Sequence, residues 1–350
     1  ARPWERLGAP ETVTWFPPSR VPAAVVSPAP GTKVSPTQPL RLSLSRPIDK
    51  ALGSAQPKLT PAIPGHWRRS DDYTLTFTPS AAGAPLGTRL RVDLPRAVAL
   101  VAPGGALHAA RSLAWTVPPG STLRLQQLLA DGGYLPLTWK PSGGPVRRTT
   151  VAQVTAAVKP PSGSFSWRYS NTPSPLRALW HAGQSNEITR GAVMAFQDKH
   201  GLTVDGLAGA SVWKALLADA AAGKRTSGGY SYVYVHRDLP QTLILWHNGH
   251  DVIHSPGNTG VPSAPTALGT FPVFEHLAET TMTGTNPDGS HYSDPGIKWV
   301  SYFNGGDALH AFDRASFGTP QSVGCVELPL ASAAKIWPYT PIGTLVTIEH

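Results

Sequence analysis

Residues 307–326 read DALHAFDRASFGTPQSVGCV, and the rest of the 350-residue chain can be ordered around the histidine and the cysteine in this stretch. Cys325 is the only cysteine. A thiolate is the strongest nucleophile a side chain offers near neutral pH, but a free thiol with a pKa of about 8.5 is only slightly ionised there. It needs a base, and His310 lies upstream on the same stretch. An imidazole with an ordinary pKa near 6.5 can take the thiol proton and return it to a leaving amine. Gly324 lacks a Cβ, so the chain can turn tightly and aim successive backbone N–H groups at one point, as an oxyanion hole requires. The opposing reading makes Cys325 a small buried apolar residue.

Working outward, the chain on both sides of this stretch alternates with a period of two. Ser231-Tyr232-Val233-Tyr234-Val235 and Gln241-Thr242-Leu243-Ile244-Leu245-Trp246 read as strands, Asn248-Gly249 as a hairpin turn, and Asp251-Val252-Ile253 as the next strand. The pattern runs to Thr344-Leu345-Val346-Thr347-Ile348, with one short helix expected at Leu330 to Ile336. Upstream, Thr122–Leu129, Thr189–Gln197 and Ser211–Leu217 show helical spacing of apolar residues. Further upstream, Leu40–Leu44, Tyr73–Phe77 and Leu90–Leu94 alternate between Pro and Gly turns, the pattern of a small β-sandwich. The expected organisation is therefore multidomain and mainly β. Residues 1–25 form an extended segment, 26–118 a β-sandwich, 119–224 a helical module with an insertion at about 140–185, and 230–350 a β-rich domain.

Composition narrows the function. The 37 prolines and 34 glycines fit many short strands joined by turns, while 41% apolar residues exclude a disordered chain. A net charge of +9 suits an anionic polymer, but no basic run exceeds two residues, so nucleic acid is not expected as a partner. No apolar stretch approaches the roughly 20 residues that span a bilayer. One cysteine in 350 residues fits an exported protein, with Ala1 following a removed signal peptide. His247, His250 and His254 are the densest metal-type cluster, and an Asn-Gly turn splits them, so neither metal nor cofactor is expected.

Three family resemblances attach to these residues. Pro30-Gly31, Trp67, Thr76-Phe77-Thr78-Pro79 and Pro85-Leu86-Gly87 resemble bacterial Ig-like modules. Gly133-Tyr134, Phe196-Gln197, Val204-Asp205-Gly206 and Trp213 resemble the three-helix peptidoglycan-binding module, with a longer interval after its first helix. From about Tyr230 to Glu349 the chain resembles the L,D-transpeptidase (YkuD-type) catalytic domain. Gly260, Pro265 to Phe271, Trp299, Leu309-His310, and Ser322, Gly324 and Cys325 fall where that family's motifs belong. Val323 replaces the histidine of its Ser-His-Gly-Cys signature, and Glu327 replaces an Arg or Asn.

The resemblance implies a cysteine acyltransferase acting as a monomer on peptidoglycan stem peptides, with a tetrapeptide donor and an amine acceptor. It implies a 3→3 cross-link, extracytoplasmic action on anionic cell-wall polymer, and carbapenem inhibition. It gives Cys325 as nucleophile and His310 as general base and acid, with Gly324, Ser322 and Ala311 in support and Tyr302, Trp299 and His291 lining the donor groove. An L,D-carboxypeptidase or endopeptidase of the same fold, and a decayed wall-binding protein, are the competing expectations.

Overall fold

The computed structural model describes residues 15–102 and 105–350, so the first fourteen residues of the expected extended segment lie outside the described residues. It divides into two compact units, 1–120 and 121–350.

The first unit is a seven-stranded arrangement of β1 (Ala23–Ser27), β2 (Leu40–Leu44), β3 (Lys58–Thr60), β4 (Gly65–Arg69), β5 (Thr74–Pro79), β6 (Arg89–Val101) and β7 (Leu107–Thr116), with a single helical turn, α1 (Ile48–Ala51). Alternation sends Leu40, Leu42 and Leu44 of β2 into one core with Leu90 and Val92 of β6 and Trp115 of β7. The strands are continuous in order β3-β6-β1-β2-β5-β4, with β7 on β6. Burying both ends of that order in a single core requires the sheet to fold over on itself. The long strand β6 makes the corner. Its first half pairs with β3, its second half with β1, and its register on β7 shifts between Asp93 and Val98.

The second unit begins with α2 (Thr122–Gly132), β8 (Leu137–Pro141), α3 (Thr150–Val158), β9 (Gly163–Trp167), α4 (Ser174–Ala178), α5 (Glu187–Lys199) and α6 (Ala210–Ala222). The interval 140–185 is thus folded: β8 and β9 form an antiparallel pair, and Phe165 packs between Trp139 and Trp180 at centroid distances of 4.8 and 5.1 Å. Phe196 and Trp213 are core residues, 1% and 6% exposed. Gln197 has a structural task. Its amide donates to Asp205 and to the Leu207 carbonyl, and its oxygen accepts from the Asp205 and Gly206 N–H groups, which fixes the loop between α5 and α6.

The remaining chain forms two sheets. One has the order β12 (His250–Pro256), β11 (Thr242–His247), β10 (Ser231–His236), β18 (Leu345–Glu349), β13 (Gly269–Pro272). The other runs β14 (Glu275–Thr285), β15 (His291–Asn304), β16 (Asp307–Ala311), β17 (Val326–Leu328). Val233, Val235, Leu243 and Leu245 of the first sheet share a core with Leu309, Val326 and Leu328 of the second, and α7 (Leu330–Ile336) closes it with Ile336. Asn248 and Gly249, both at positive φ, make the expected two-residue turn between β11 and β12.

The helical part and this β part are docked. Tyr169 donates to Asn248 at 2.7 Å and lies edge-on to Trp246, and Asn171 donates to the Gly249 carbonyl. At Gly191 of α5 a Cβ would meet the Gly343 carbonyl oxygen at 2.5 Å, so the helix backbone rests directly on the turn before β18.

Candidate active site

The parallel pairing of β16 with β17 builds the site. Its register sets Leu309 opposite Val326 and His310 opposite Glu327, so Cys325 falls beside Ala308. Cys325 lies in the bend one residue ahead of β17, where the Ala308 N–H meets its sulfur, and His310 stands two residues along β16 from Ala308. Leu309 and Val326 point into the inter-sheet core.

His310 is 3% exposed, and its Nδ1 lies 2.9 Å from the Ala311 carbonyl. A carbonyl can only accept, so Nδ1 carries the proton and Nε2 keeps a free lone pair. Burial holds the imidazole below its ordinary pKa, and the neighbouring Arg314 cation adds to that, opposed by the Ala311 carbonyl and the Glu327 carboxylate. Cys325 is partly exposed, but the atoms packed on its sulfur push the thiol up to about 12. The Ala308 N–H works against this rise, and the Asp307 and Glu327 carboxylates add to it. Both groups are therefore neutral near pH 7. The thiol donates to the Gly306 carbonyl at 3.6 Å.

The turn ahead of Cys325 is held from several sides. Gly324 has φ +115, and a Cβ there would lie 2.3 Å from Asp307 Oδ1, so glycine is required on both counts. Ser322 Oγ donates to the Cys325 carbonyl at 2.6 Å and so caps the turn; it does not hold His310. Thr266 Oγ1, which accepts from the Gly260 N–H, reaches the same carbonyl at 3.5 Å and ties the 260–269 turn to the cysteine loop. Val323, where the signature histidine would stand, is 36% exposed.

The hairpin of β14 and β15 covers the thiol. Met282, Tyr292, Ile297 and Tyr302 gather in one cluster with Ala308 and Cys325. Tyr302 thus stands at the site, whereas the other two expected groove residues do not. Trp299, at φ +61, turns into the inter-sheet core 5.3 Å from Trp337, and His291 sits exposed near the hairpin tip against Thr285. Trp299 lies three residues before Tyr302 on β15, so alternation sends the two side chains to opposite faces, Trp299 with Phe303 and Tyr302 with Val300.

Sequence reasoning passed over Tyr292, Asp307 and Arg314 and gave Thr266 only as part of the Pro265 to Phe271 motif. Arg314 makes a bidentate pair with Glu327 at 2.8 and 2.7 Å, lies 4.5 Å over the Phe312 ring and donates to the Gln321 carbonyl. The acidic residue two places after the cysteine therefore comes with its own guanidinium. The unusual Glu327 was the one available signal for it.

Residues 230–348 match the L,D-transpeptidase catalytic domain. Residues 174–216 match a putative peptidoglycan binding domain, taking in α4, α5 and most of α6 and leaving α2 outside. No curated protein matches the chain. Among solved structures, an L,D-transpeptidase from Mycobacterium smegmatis is 12% identical, covers 93% of this chain and 99% of its own, and gives a TM-score of 0.32. L,D-transpeptidase 3 from Mycobacterium tuberculosis, in complex with a faropenem-derived adduct, is 12% identical over 93% of this chain and 97% of its own, with a TM-score of 0.31. The catalytic domain of the E. faecium L,D-transpeptidase acylated by ertapenem is 23% identical over 35% of this chain and 98% of its own, with a TM-score of 0.32. The chain carries an L,D-transpeptidase-type catalytic domain joined to a peptidoglycan-binding-type module, and Cys325, His310 and their neighbours all lie inside the first of these.

Proposed function

We propose that the protein is a cell-wall L,D-transpeptidase that forms 3→3 cross-links through a Cys325 thioester, acting outside the cytoplasm. The observation that carries this reading is one thiol, in the bend that opens β17, against Ala308 of the parallel neighbour β16, two residues from one imidazole whose Nδ1 is fixed as the donor. Because both groups rest neutral, the thiol proton passes to His310 Nε2 as Sγ swings from the Gly306 carbonyl toward the substrate. The sulfur attacks the carbonyl carbon of the third residue of a stem tetrapeptide. Backbone N–H groups of Gly324 and Cys325 hold the oxyanion, the C–N bond to the terminal D-alanine breaks, and His310 gives its proton to the leaving amine. A side-chain amine of a second stem then attacks the thioester, its proton returning through His310 to the sulfur. Tyr302 and Tyr292 border the donor.

Intact-mass measurement after incubation with a carbapenem tests the reading. The expected result is one covalent adduct on the native chain, none on Cys325→Ala, and at least a hundredfold slower formation on His310→Ala. A folded native chain that gains no adduct but still sediments with isolated peptidoglycan sinks the enzyme reading and leaves a wall-binding protein. With disaccharide-tetrapeptide as sole substrate, cross-linked dimer supports transpeptidation, and trimmed tripeptide alone assigns the carboxypeptidase reaction instead.

A further inference from the structure

We infer that Asp307 receives the acceptor, its carboxylate drawing a cationic amine to the acylated Cys325; this rests on the transferase reading above. Such an amine is an ammonium near neutral pH, and the tyrosines that border the donor carry no charge to meet it.

Asp307 stands between the two backbone groups that touch the sulfur. The Gly306 carbonyl accepts from the thiol at 3.6 Å, and the Ala308 N–H favours the thiolate. The carboxylate packs on the residue before the cysteine, since a Cβ at Gly324 would lie 2.3 Å from Oδ1. Asn304 Nδ2 donates to Oδ2 at 3.3 Å, and the Ala267 N–H also favours the charged form. These donors orient the group without neutralising it. Two carboxylates disfavour the Cys325 thiolate. Glu327 is paired with Arg314, whereas Asp307 enters no ion pair among the described residues.

The side chain is partly exposed and can be reached. Alternation along β16 turns Asp307 away from Ala308, which clusters with Met282, Tyr292 and Tyr302 over the thiol. Gly305 and Gly306 beside it are exposed, and a Cβ at either would meet no atom within 4 Å. The open approach to Asp307 therefore runs over these two glycines rather than under the tyrosines.

The charge acts oppositely in the two half-reactions. While the sulfur is a thiol, the carboxylate penalises the thiolate and slows attack on the donor. Once the sulfur is a neutral thioester that penalty is gone, and the same carboxylate attracts an arriving ammonium. The ammonium passes one proton to Asp307, and the free amine attacks the thioester carbon. The C–N bond forms, the C–S bond breaks, and the second proton reaches the sulfur through His310. Asp307 then releases its proton to water. Water as a competing nucleophile is neutral and gains nothing from the carboxylate, so Asp307 favours transfer over hydrolysis.

The test uses disaccharide-tetrapeptide as donor and compares transfer to Nα-acetyl-lysine amide, a cation, with transfer to hydroxylamine, neutral at the same pH. Asp307→Asn should lower the ratio of the two products roughly tenfold. Carbapenem should acylate this variant severalfold faster than the native chain, which also shows that it is folded. In the native chain, raising sodium chloride from about 0.01 M to about 1 M should lower the same ratio severalfold. The inference is overturned by a ratio that neither Asp307→Asn nor salt moves. It is also overturned if Asp307→Asn slows acylation and both transfers together, since the carboxylate then only holds the Gly324 turn. A native chain that gains no carbapenem adduct fails the transferase reading itself, and this inference with it.

Discussion

Cys325 and His310 rest as a neutral pair because the imidazole and the thiol sulfur are each packed where the charged form is penalised, the thiol pushed up to about 12 and the imidazole held below its usual range. The consequence is measurable. Alkylation of Cys325 by iodoacetamide in the folded chain should be slow at pH 7 and rise about tenfold per pH unit without levelling off between pH 8 and 10. A plateau near pH 7 would mean an ion pair instead. Asp307→Asn removes a carboxylate that disfavours the thiolate and should speed labelling severalfold at pH 8. The Glu327 and Arg314 pair sits on the other side of His310. Glu327→Gln should lower thermal stability by about 2 kcal/mol, since it strips the charge from a bidentate, largely buried contact. It should also drive the His310 titration, followed by NMR, further down. A histidine held neutral in the fold loses stability as pH falls below its unfolded value of about 6.5. The variant should therefore be more acid-sensitive than the native chain.

Among elements, the instructive feature is the interval 140–185. Its Pro, Ser and Gly content reads as an insertion without a task, yet β8, α3, β9 and α4 form an aromatic-packed unit whose β9–α4 loop grips the turn between β11 and β12. Strand and helix signals there are short, and the partners that stabilise them are distant in sequence: Leu137 faces Trp167, and Tyr169 meets Asn248. The second contact, Gly191 against Gly343, depends on two missing side chains. Gly191→Ala forces a methyl group against a carbonyl oxygen and should cost about 3 kcal/mol. The readout is a Tm lowered by several degrees together with faster proteolysis in residues 224–229. An unchanged Tm would mean that the helix is not seated on this turn.

For the whole molecule, each of the two compact units has a core of its own, the first around Leu42, Val92 and Trp115, the second around Val233, Leu309 and Val326. Residues 121–350 expressed alone should fold cooperatively and form the carbapenem adduct at the rate of the full chain. A fragment that fails to fold would show that the first unit supports the catalytic one. The net charge of +9 belongs to this scale too, as a long-range field that favours anionic polymers over cationic ones.

The sequence by itself determined the mainly β character, the Asn248-Gly249 turn, the helix at Leu330 to Ile336 and the presence of a single thiol, because periodicity, turn chemistry and cysteine count are local properties. Fold continuity through β6 was not legible, since a strand that changes partners halfway keeps the same alternation. Nor were Arg314 and Tyr292, which reach the site from a separate loop and strand. Trp299, assigned to the groove with Tyr302 by resemblance, stands three residues from it and so on the opposite face of β15. Ionisation was decided by tertiary structure alone: the Cys325 thiol and the His310 imidazole have ordinary values in the open chain, and only packing, with Asp307, Glu327 and Arg314 brought alongside, shifts them.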